Sequence, residues 1–307
     1  MHLRLDDARL GIDGVTALDG LSFQAEGALV VWLGDFTPLF SLLAGRAELL
    51  SGSALLDGGP LSHAVGRGHV GLALANPNLP KGWTVETVLE HSARLTGMTR
   101  RQARVAAADA LARVGFSALT TRRFETLTTG EQRVMMLAHA LIGEPSVIAA
   151  ERPFSGLDGP NEALVDSALT RASEGRSLVL SFDSIDETGM GRGWVDRADC
   201  VVCVQGGVVV ASGPPAVVLG GASHFVLTVA RNAAALLSAL SERDLSVTDR
   251  AVDRSLLLEL HSADVPASFV VGGEGADVVE RIVSAAVDTE APLLELRPAL
   301  RVAGPRA

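Results

Sequence analysis

The sequence lacks tyrosine altogether and contains no run of about 18 apolar residues, the length that a membrane-spanning helix needs. We therefore expect no helix that crosses a bilayer and no tyrosine that stacks on a ligand. The apolar fraction of 48% and the charged fraction of 20% are typical of a folded globular chain. At 307 residues the chain exceeds the usual size of one hydrophobic core, which favours a large domain and a small one. Because Asp6 and Asp7 stand where a secretory signal would become apolar, we expect a cytoplasmic protein.

Clusters of lysine and arginine are not evident either, and the formal net charge is -10. Binding to nucleic acid is therefore not expected, since it depends on clustered positive charge. Cysteine occurs only at Cys200 and Cys203. One CxxC pair could indicate a redox or zinc site, but it supplies only half of the usual four zinc ligands. The surrounding segment 198–204 predicts a buried strand, on which residues three apart face opposite sides. We predict two core cysteines and no metal.

The histidines show no metal-ligand spacing, and we find no Ser/His/Asp arrangement that would indicate a hydrolase. They are predicted to be surface or core residues: His63, His69, His91, His139 and His261.

Buried strands alternate with helices along the first two thirds of the chain. An unbroken apolar run predicts a strand that is buried on both faces, and 3.6-residue spacing predicts a helix. The predicted strands are 28–33, ending at Gly34, then 147–150 and 178–181, with a hairpin over 200–211 that turns at Gly206 and Gly207. Helical segments are predicted at 40–44, from about 84 to 116, and from near Asn161. This rhythm indicates an α/β core.

The pattern changes after Gly220 and Gly221. The predicted order is strand 225–230, helix 232–243, strand 245–251, strand 255–261, helix 276–287 and strand 293–297. The order βαββαβ is typical of a ferredoxin-like α+β domain.

Three motifs follow one another in the middle of the chain. They are Leu-Thr-Thr-Gly-Glu-Gln-Arg at 127–133, the segment 145–153 that ends Ala-Ala-Glu-Arg-Pro, and Ser-Gly-Leu-Asp at 155–158. The run resembles the signature, Walker B and D-loop motifs of an ATP-binding cassette (ABC) protein. The resemblance implies a P-loop NTPase core at 1–219 with a helical subdomain at about 76–130. It also implies a C-terminal domain at 224–300, similar to the extension of ABC ATPases that pair with exporter-type membrane subunits.

The residues that would hold ATP in the same subunit differ from the family pattern. A phosphate loop needs a glycine-rich turn, a lysine for the phosphates and a hydroxyl for magnesium. Here the segment after Gly34 is about four residues short against that pattern, Pro38 removes a donor N–H, and alignment places Phe36 at the lysine. The degenerate positions that the resemblance implies are Leu10 (adenine-stacking aromatic), Phe36 and Thr37 (phosphate loop), Ala75 (Q-loop glutamine), Ala150 (Walker B aspartate) and Phe182 (switch histidine).

Other family positions are retained. In ABC dimers the signature motif caps the nucleotide of the opposite subunit, which implies such contacts for Thr128, Gly130 and Glu131. The alternative is an ordinary helix N-terminus with Thr128 and Glu131 as a capping box. Glu151 stands at the general base, or is a strand-end carboxylate held by Arg152. Asp158 stands at the D-loop aspartate, which lies at the dimer interface in the family.

The leading hypothesis is a catalytically degenerate ABC subunit of a heteromeric membrane transporter. It would pair with an intact ABC ATPase and a membrane permease, lie on the inner face of the membrane, and bind no cofactor alone, with ATP and magnesium at the partner's site. It would hydrolyse no ATP itself. The alternative is a scaffold with an ABC fold that binds no nucleotide, and a third hypothesis is a working ATPase with an unfamiliar loop.

Overall fold

A computed structural model describes residues 1–186, 189–205, 207–219, 222–249, 267–274, 277–298 and 302–303. The chain begins with an antiparallel sheet made of β1 (His2–Ile12), β2 (Val15–Glu26), β4 (Glu48–Leu56) and the short β5 (Gly59–Pro60), in the order β2-β1-β4-β5. Burial alternates along parts of β1 and β2, as expected for a sheet with one covered face, with a break near Ala8.

A second sheet forms the centre of the molecule. Its strands are β3 (Leu29–Gly34), β6 (Val70–Ala73), β7 (Val147–Ala150), β8 (Ser177–Phe182), β10 (Cys200–Gln205) and β11 (Val208–Gly213). The order is β11-β10-β3-β8-β7-β6, and all neighbours are parallel except the β10–β11 hairpin. The strands and the hairpin predicted from apolar runs are therefore present. Gly206 lies outside the described residues, and Gly207 adopts φ +84° at the turn.

Helices connect and flank these strands. They are α1 (Thr37–Leu43), α2 (Val85–Leu95), α3 (Arg100–Arg113), α4 (Thr129–Ala140), α5 (Gly159–Ala172), α6 (Met190–Asp196) and α7 (Pro215–Leu219). The single helical stretch predicted over 84–116 is instead two helices. The break occurs because Gly97 adopts φ +91° and the Thr99 side chain caps a new helix in a capping box with Gln102.

The central sheet is covered on both faces by separate apolar clusters. In one cluster, the helices from α2 through α5 pack on the central sheet. In the other cluster, the N-terminal sheet and α1 pack on it. Cys203 belongs to the first cluster and Cys200 to the second, and both are free thiols. The prediction of two buried cysteines on opposite faces is confirmed, and the structure holds no group of three potential metal ligands within the described ranges.

The C-terminal unit contains β12 (Ala222–Val229), α8 (Ala233–Ser241), β13 (Ser246–Asp249), β14 (Ala267–Glu274), α9 (Val278–Asp288) and β15 (Leu293–Pro298). Its antiparallel sheet has the order β13-β14-β12-β15. The predicted strand 255–261 lies outside the described residues, whereas β14 was not predicted. Another short pair joins β9 (Ile185–Asp186) to β16 (Val302–Ala303). No helix in the described part of the chain is both long and apolar enough to cross a membrane.

Candidate functional site

The carboxyl ends of the parallel strands define the candidate site. In α/β folds of this kind, ligands bind at that edge of the sheet. Phe36 follows β3, Ala75 follows β6, and Ala150 and Phe182 end β7 and β8. The structure therefore brings four of the sequence-predicted positions to one edge, whereas Leu10 lies in the core between the two sheets.

The segment between β3 and α1 is a tight turn. Gly34 has φ +110°, and a Cβ at this position would lie 1.9 Å from the carbonyl oxygen of Val204 on the neighbouring strand. Only glycine fits this conformation and this approach. The chain then enters α1 after two residues, so no extended glycine-rich loop forms here.

The first turn of α1 has its backbone donors already used. The Thr37 N–H donates to the Asp35 carboxylate at 3.1 Å, and Pro38 has no N–H. The N–H groups of Leu39 and Phe40 both donate to the Phe36 carbonyl, at 3.0 and 3.1 Å. A helix N-terminus binds a phosphate through free N–H groups and positive dipole, and here the Asp35 carboxylate occupies that position.

Phe36 is a core residue. Its side chain is 2% exposed, stacks on Trp32 with ring centroids 5.0 Å apart and meets Phe23 edge-on at 6.3 Å. Phe40 meets the other side of Trp32 at 5.5 Å. The indole Nε1 of Trp32 is buried and has no hydrogen-bond partner among the described residues. Four aromatic rings thus fill the space beneath the β3–α1 turn.

Four of the other positions at which the sequence differs from the family pattern are also buried. Leu10, Ala75, Ala150 and Phe182 are each less than 10% exposed. Phe182 stacks on Phe154 with ring centroids 6.1 Å apart. The cleft beside this pair, which Arg152 and Asp183 also line, has a volume of ≈ 170 Å³, below the range of roughly 300–1,000 Å³ of most ligand pockets. Thr37 remains exposed.

Glu151 is held by neighbours within the chain. One carboxylate oxygen accepts the Ala75 N–H at 3.0 Å, and the other lies 3.3 Å from Nη2 of Arg152. Arg152 adopts φ +43° and its Nη1 lies 3.7 Å from the Asp183 carboxylate. Burial lowers the pKa of the nearby Arg133 guanidinium, which the Glu151 charge partly offsets. These contacts match the sequence-based alternative in which Arg152 holds the Glu151 carboxylate.

The signature segment forms the N-terminus of α4. The Thr128 hydroxyl accepts the Glu131 N–H at 3.2 Å, and the Glu131 carboxylate accepts the Thr128 N–H at 2.8 Å. The predicted capping box is therefore present. The second carboxylate oxygen of Glu131 pairs with Arg122 Nη1 at 2.7 Å, which neutralises part of the charge that this residue adds to the motif.

The signature and D-loop segments are joined inside the chain by Asn161. Its side-chain oxygen accepts from the Thr128 hydroxyl at 3.0 Å, and its Nδ2 donates to the Asp158 carboxylate at 2.6 Å. Asp158 caps α5, and the hydrogen bonds from the backbone and side chain of Asn161 lower the pKa of its carboxyl group. A Cβ on Gly130 would lie 2.4 Å from Asn161 Oδ1. Asn161 thus holds the signature and D-loop segments next to each other.

Sequence reasoning missed several of these partners. Arg122 and Asn161 lie outside the motifs, so nothing in the local pattern distinguished them. The spacing also did not reveal a contact of three polar residues, in which Asp57 Oδ2 lies 2.9 Å from His69 Nε2 and Ser146 Oγ lies 2.9 Å from His69 Nδ1. Asp57 also accepts the His2 N–H at 2.6 Å, and Ser146 donates to the His69 carbonyl. These contacts tie the β4–β5 turn to the start of β7.

Comparison with known proteins supports one family. Residues 37–155 match the family model described as ABC transporter. The fold is similar to that of cbiO1 from Clostridium perfringens, part of the ABC transporter complex cbiONQ, with a TM-score of 0.57 and 22% identity over 70% of this chain and 89% of that one. The β3 to α5 region thus has the α/β fold of an ABC ATPase. In sequence, residues 37–155 are similar to the ABC transporter family.

The sequence is also similar to two transport proteins. The energy-coupling factor transporter ATP-binding protein EcfA of Methanosphaera stadtmanae is 29% identical over 57% of this chain and 67% of its own length. The human phospholipid-transporting ATPase ABCA7 is 30% identical over 49% of this chain. The matched region spans only 7% of the length of ABCA7.

Proposed function

We propose that this chain is a catalytically degenerate ATP-binding subunit of a heteromeric ABC transporter, which pairs with an intact ABC ATPase and a membrane permease. The proposal rests chiefly on the first turn of α1. Its donors are used within the chain, Asp35 brings a negative charge to the turn, and the Phe36 side chain fills the space below. A triphosphate would have to displace these contacts.

The loss of phosphate contacts is large on the scale of nucleotide affinity. Hydrogen bonds to charged groups contribute about 1.5–3 kcal/mol each, and micromolar binding corresponds to about 8 kcal/mol. Three or four missing contacts therefore remove most of the binding free energy. Ala150 supplies no magnesium ligand, and Glu151 is held by Ala75 and Arg152, so hydrolysis by this chain is not expected.

The retained signature suggests a role at the partner's site. Thr128 is exposed at the start of α4, and Asp158 is exposed at the start of α5. We propose that these residues, with Gly130 and Glu131, lie at the dimer interface and cap ATP and magnesium bound by the partner. The similarity to cbiO1 and EcfA supports an association with membrane components on the cytoplasmic face. The C-terminal unit would then be the ferredoxin-like extension of an exporter-type subunit.

A second candidate is a scaffold that contacts no nucleotide. The observation that favours it is that the polar groups of the signature already have hydrogen-bond partners within the chain. These bonds join Thr128, Glu131, Arg122 and Asn161. In this case the ABC fold would serve only as a surface for assembly.

Titration of the purified full chain with a fluorescent ATP analogue and magnesium tests the degenerate site. We expect no saturable binding by the chain alone and no ATPase activity, but saturable binding by its complex with an intact ABC subunit. Saturable binding or steady hydrolysis by the chain alone would refute the proposal.

A pair of capping variants distinguishes the two candidates. Thr128→Ala and Thr99→Ala each remove one capping box, on α4 and α3 respectively, at a similar cost in stability of about 1 kcal/mol. Only Thr128→Ala should lower the ATPase rate of the assembled complex if the signature caps the partner's nucleotide. Equal rates for both variants would support the scaffold.

A further inference from the structure

The turn that joins α2 to α3 presents an exposed basic and apolar surface. We define the α2–α3 tip as Arg94 and Leu95 at the end of α2 and Arg100 and Arg101 at the start of α3. All four side chains are exposed, and Leu95, at 76%, is more exposed than any other large apolar side chain in the described part of the protein.

The tip lies in a positively charged part of an acidic protein. Residues 94–123 contain seven arginines and a single acid, Asp109, for a net charge of +6 in a chain of -10. These arginines are spread over thirty positions, so no local cluster is evident in the sequence. The antiparallel helices α2 and α3 bring Arg94, Arg100 and Arg101 together at the turn that joins them.

Ion pairs explain three of the four other arginines of this region, but not those at the tip. Arg104 pairs with Glu90 and Glu86 between the helices. Arg113 pairs with Glu144, and Arg122 with Glu131. By contrast, no carboxylate of the described residues lies within ion-pair distance of Arg94, Arg100 or Arg101.

Helix stability explains Arg94, which lies in the last turn of α2 where the helix dipole favours a cation, but it does not explain the tip arginines of α3. The first turn of α3 contains Arg100 and Arg101 and no acid, although the positive end of the helix dipole disfavours cations there. The N-terminus is already capped by Thr99 and Gln102. Residues that oppose local stability without a compensating contact are expected where a surface has a function.

We propose that the α2–α3 tip binds the anionic phospholipid headgroups of a membrane surface. The guanidinium group matches the geometry of phosphate oxygens, and a projecting leucine beside basic residues is the usual pattern of interfacial membrane binding. Leu95 favours lipid over nucleic acid, because a lipid surface has an apolar layer that can bury this side chain and a phosphate backbone has none. It also favours lipid over an acidic peptide, because the side chain stands out from the surface. The inference holds whether or not this chain binds nucleotide.

The charge of the tip sets the expected gain in affinity for an anionic membrane. Each arginine close to an anionic membrane strengthens binding about fivefold, so three of them together strengthen it about 100-fold. The effect is screened within a Debye length and falls with added salt. The acidic remainder of the chain is repelled by the same surface, which orients the molecule with the tip toward the lipid.

Vesicle flotation of the full chain tests the proposal. The probes are vesicles of phosphatidylcholine alone and of phosphatidylcholine mixed with phosphatidylglycerol. We expect binding only to the mixed vesicles, with loss at high salt. The variant Arg94→Glu/Arg100→Glu/Arg101→Glu should lose at least about 100-fold in affinity. The matched control Arg46→Glu/Arg67→Glu/Arg231→Glu has the same net charge and also changes exposed arginines, and it should retain most of the binding.

Two further measurements exclude simple misfolding. The tip variant should melt within a few degrees of the native chain, since Arg100→Glu and Arg101→Glu suit the dipole of α3 whereas Arg94→Glu opposes that of α2. Leu95→Ser keeps every charge and should weaken binding several-fold. Equal losses in the tip and control variants, equal binding to both kinds of vesicle, or tighter binding to a DNA duplex than to the mixed vesicles would overturn the proposal.

Discussion

Removal of the Phe36 ring tests whether the phosphate-loop position has become part of the core. The side chain is 2% exposed and contacts Trp32 and Phe23. Truncation of such a residue leaves a cavity, and Phe→Ala changes in cores lower the free energy of unfolding by about 3–5 kcal/mol. A phenylalanine in an open surface loop would cost no more than about 0.5 kcal/mol.

We therefore expect Phe36→Ala to lower the free energy of unfolding of the full chain by about 3–5 kcal/mol. Urea denaturation followed by circular dichroism measures this change. Val15→Ala is the control, because Val15 is a large apolar residue that is 69% exposed, and its effect should stay within about 0.5 kcal/mol.

Phe36→Lys extends the test to nucleotide binding. This variant puts a lysine where the resemblance places that of a phosphate loop, but it also places an ammonium group among aromatic rings, where an unpaired charge is strongly disfavoured. We expect a loss of stability at least as large as for Phe36→Ala and no gain in ATP affinity. A loss below about 1 kcal/mol for Phe36→Ala, or ATP binding by a fully stable Phe36→Lys variant, would refute the core assignment.

Three further predictions concern other buried groups. Gly130→Ala should lower the free energy of unfolding by about 1–3 kcal/mol, as measured by urea denaturation, because the new Cβ would overlap Asn161. The loss should be much smaller in an Asn161→Gly background, and equal losses in both backgrounds would contradict this packing. Burial lowers the pKa of His139 below its usual 6.5, so the folded chain should lose stability as the pH falls below about 6.5, where unfolding takes up a proton. His139→Gln should flatten that dependence, and an unchanged slope would refute the assignment. Burial raises the pKa of Cys203 to about 12, so in a Cys200→Ser variant its thiol should react with Ellman's reagent only after unfolding, and rapid reaction of the native chain would show that it is accessible.

Strands were predictable from the sequence where both of their faces are buried. The segments 28–33 and 147–150 read as unbroken apolar runs because both faces of the central sheet are covered. The N-terminal sheet gave a weaker signal, since irregularities in the β1–β2 register near Ala8 interrupt the alternation. In the C-terminal unit, Gly272 and Gly273 interrupt the apolar pattern of β14, so the sequence alone did not reveal that strand.

The capping box in the candidate site was predictable from the sequence, but the tertiary contacts around it were not. Family positions could be compared one by one, and the capping box of Thr128 and Glu131 followed from local spacing. The use of the α1 donors by Asp35 and Phe36 depends on the conformation of the turn, and the Asn161 contacts join segments 33 positions apart. Such contacts arise from tertiary packing, which no window of sequence displays.

The aromatic packing around Phe36 has a consequence for how a complex could respond to metabolism. A cassette with an open nucleotide site is stabilised by its ligand in proportion to RT ln(1 + [L]/Kd), so its folding depends on the ATP and ADP around it. We propose that Phe36 and Trp32, which stack on each other, fill the corresponding space in this chain. Under the proposed function, half of the heterodimer would keep one shape whatever the energy charge of the cell, and all nucleotide sensing would fall to the other half.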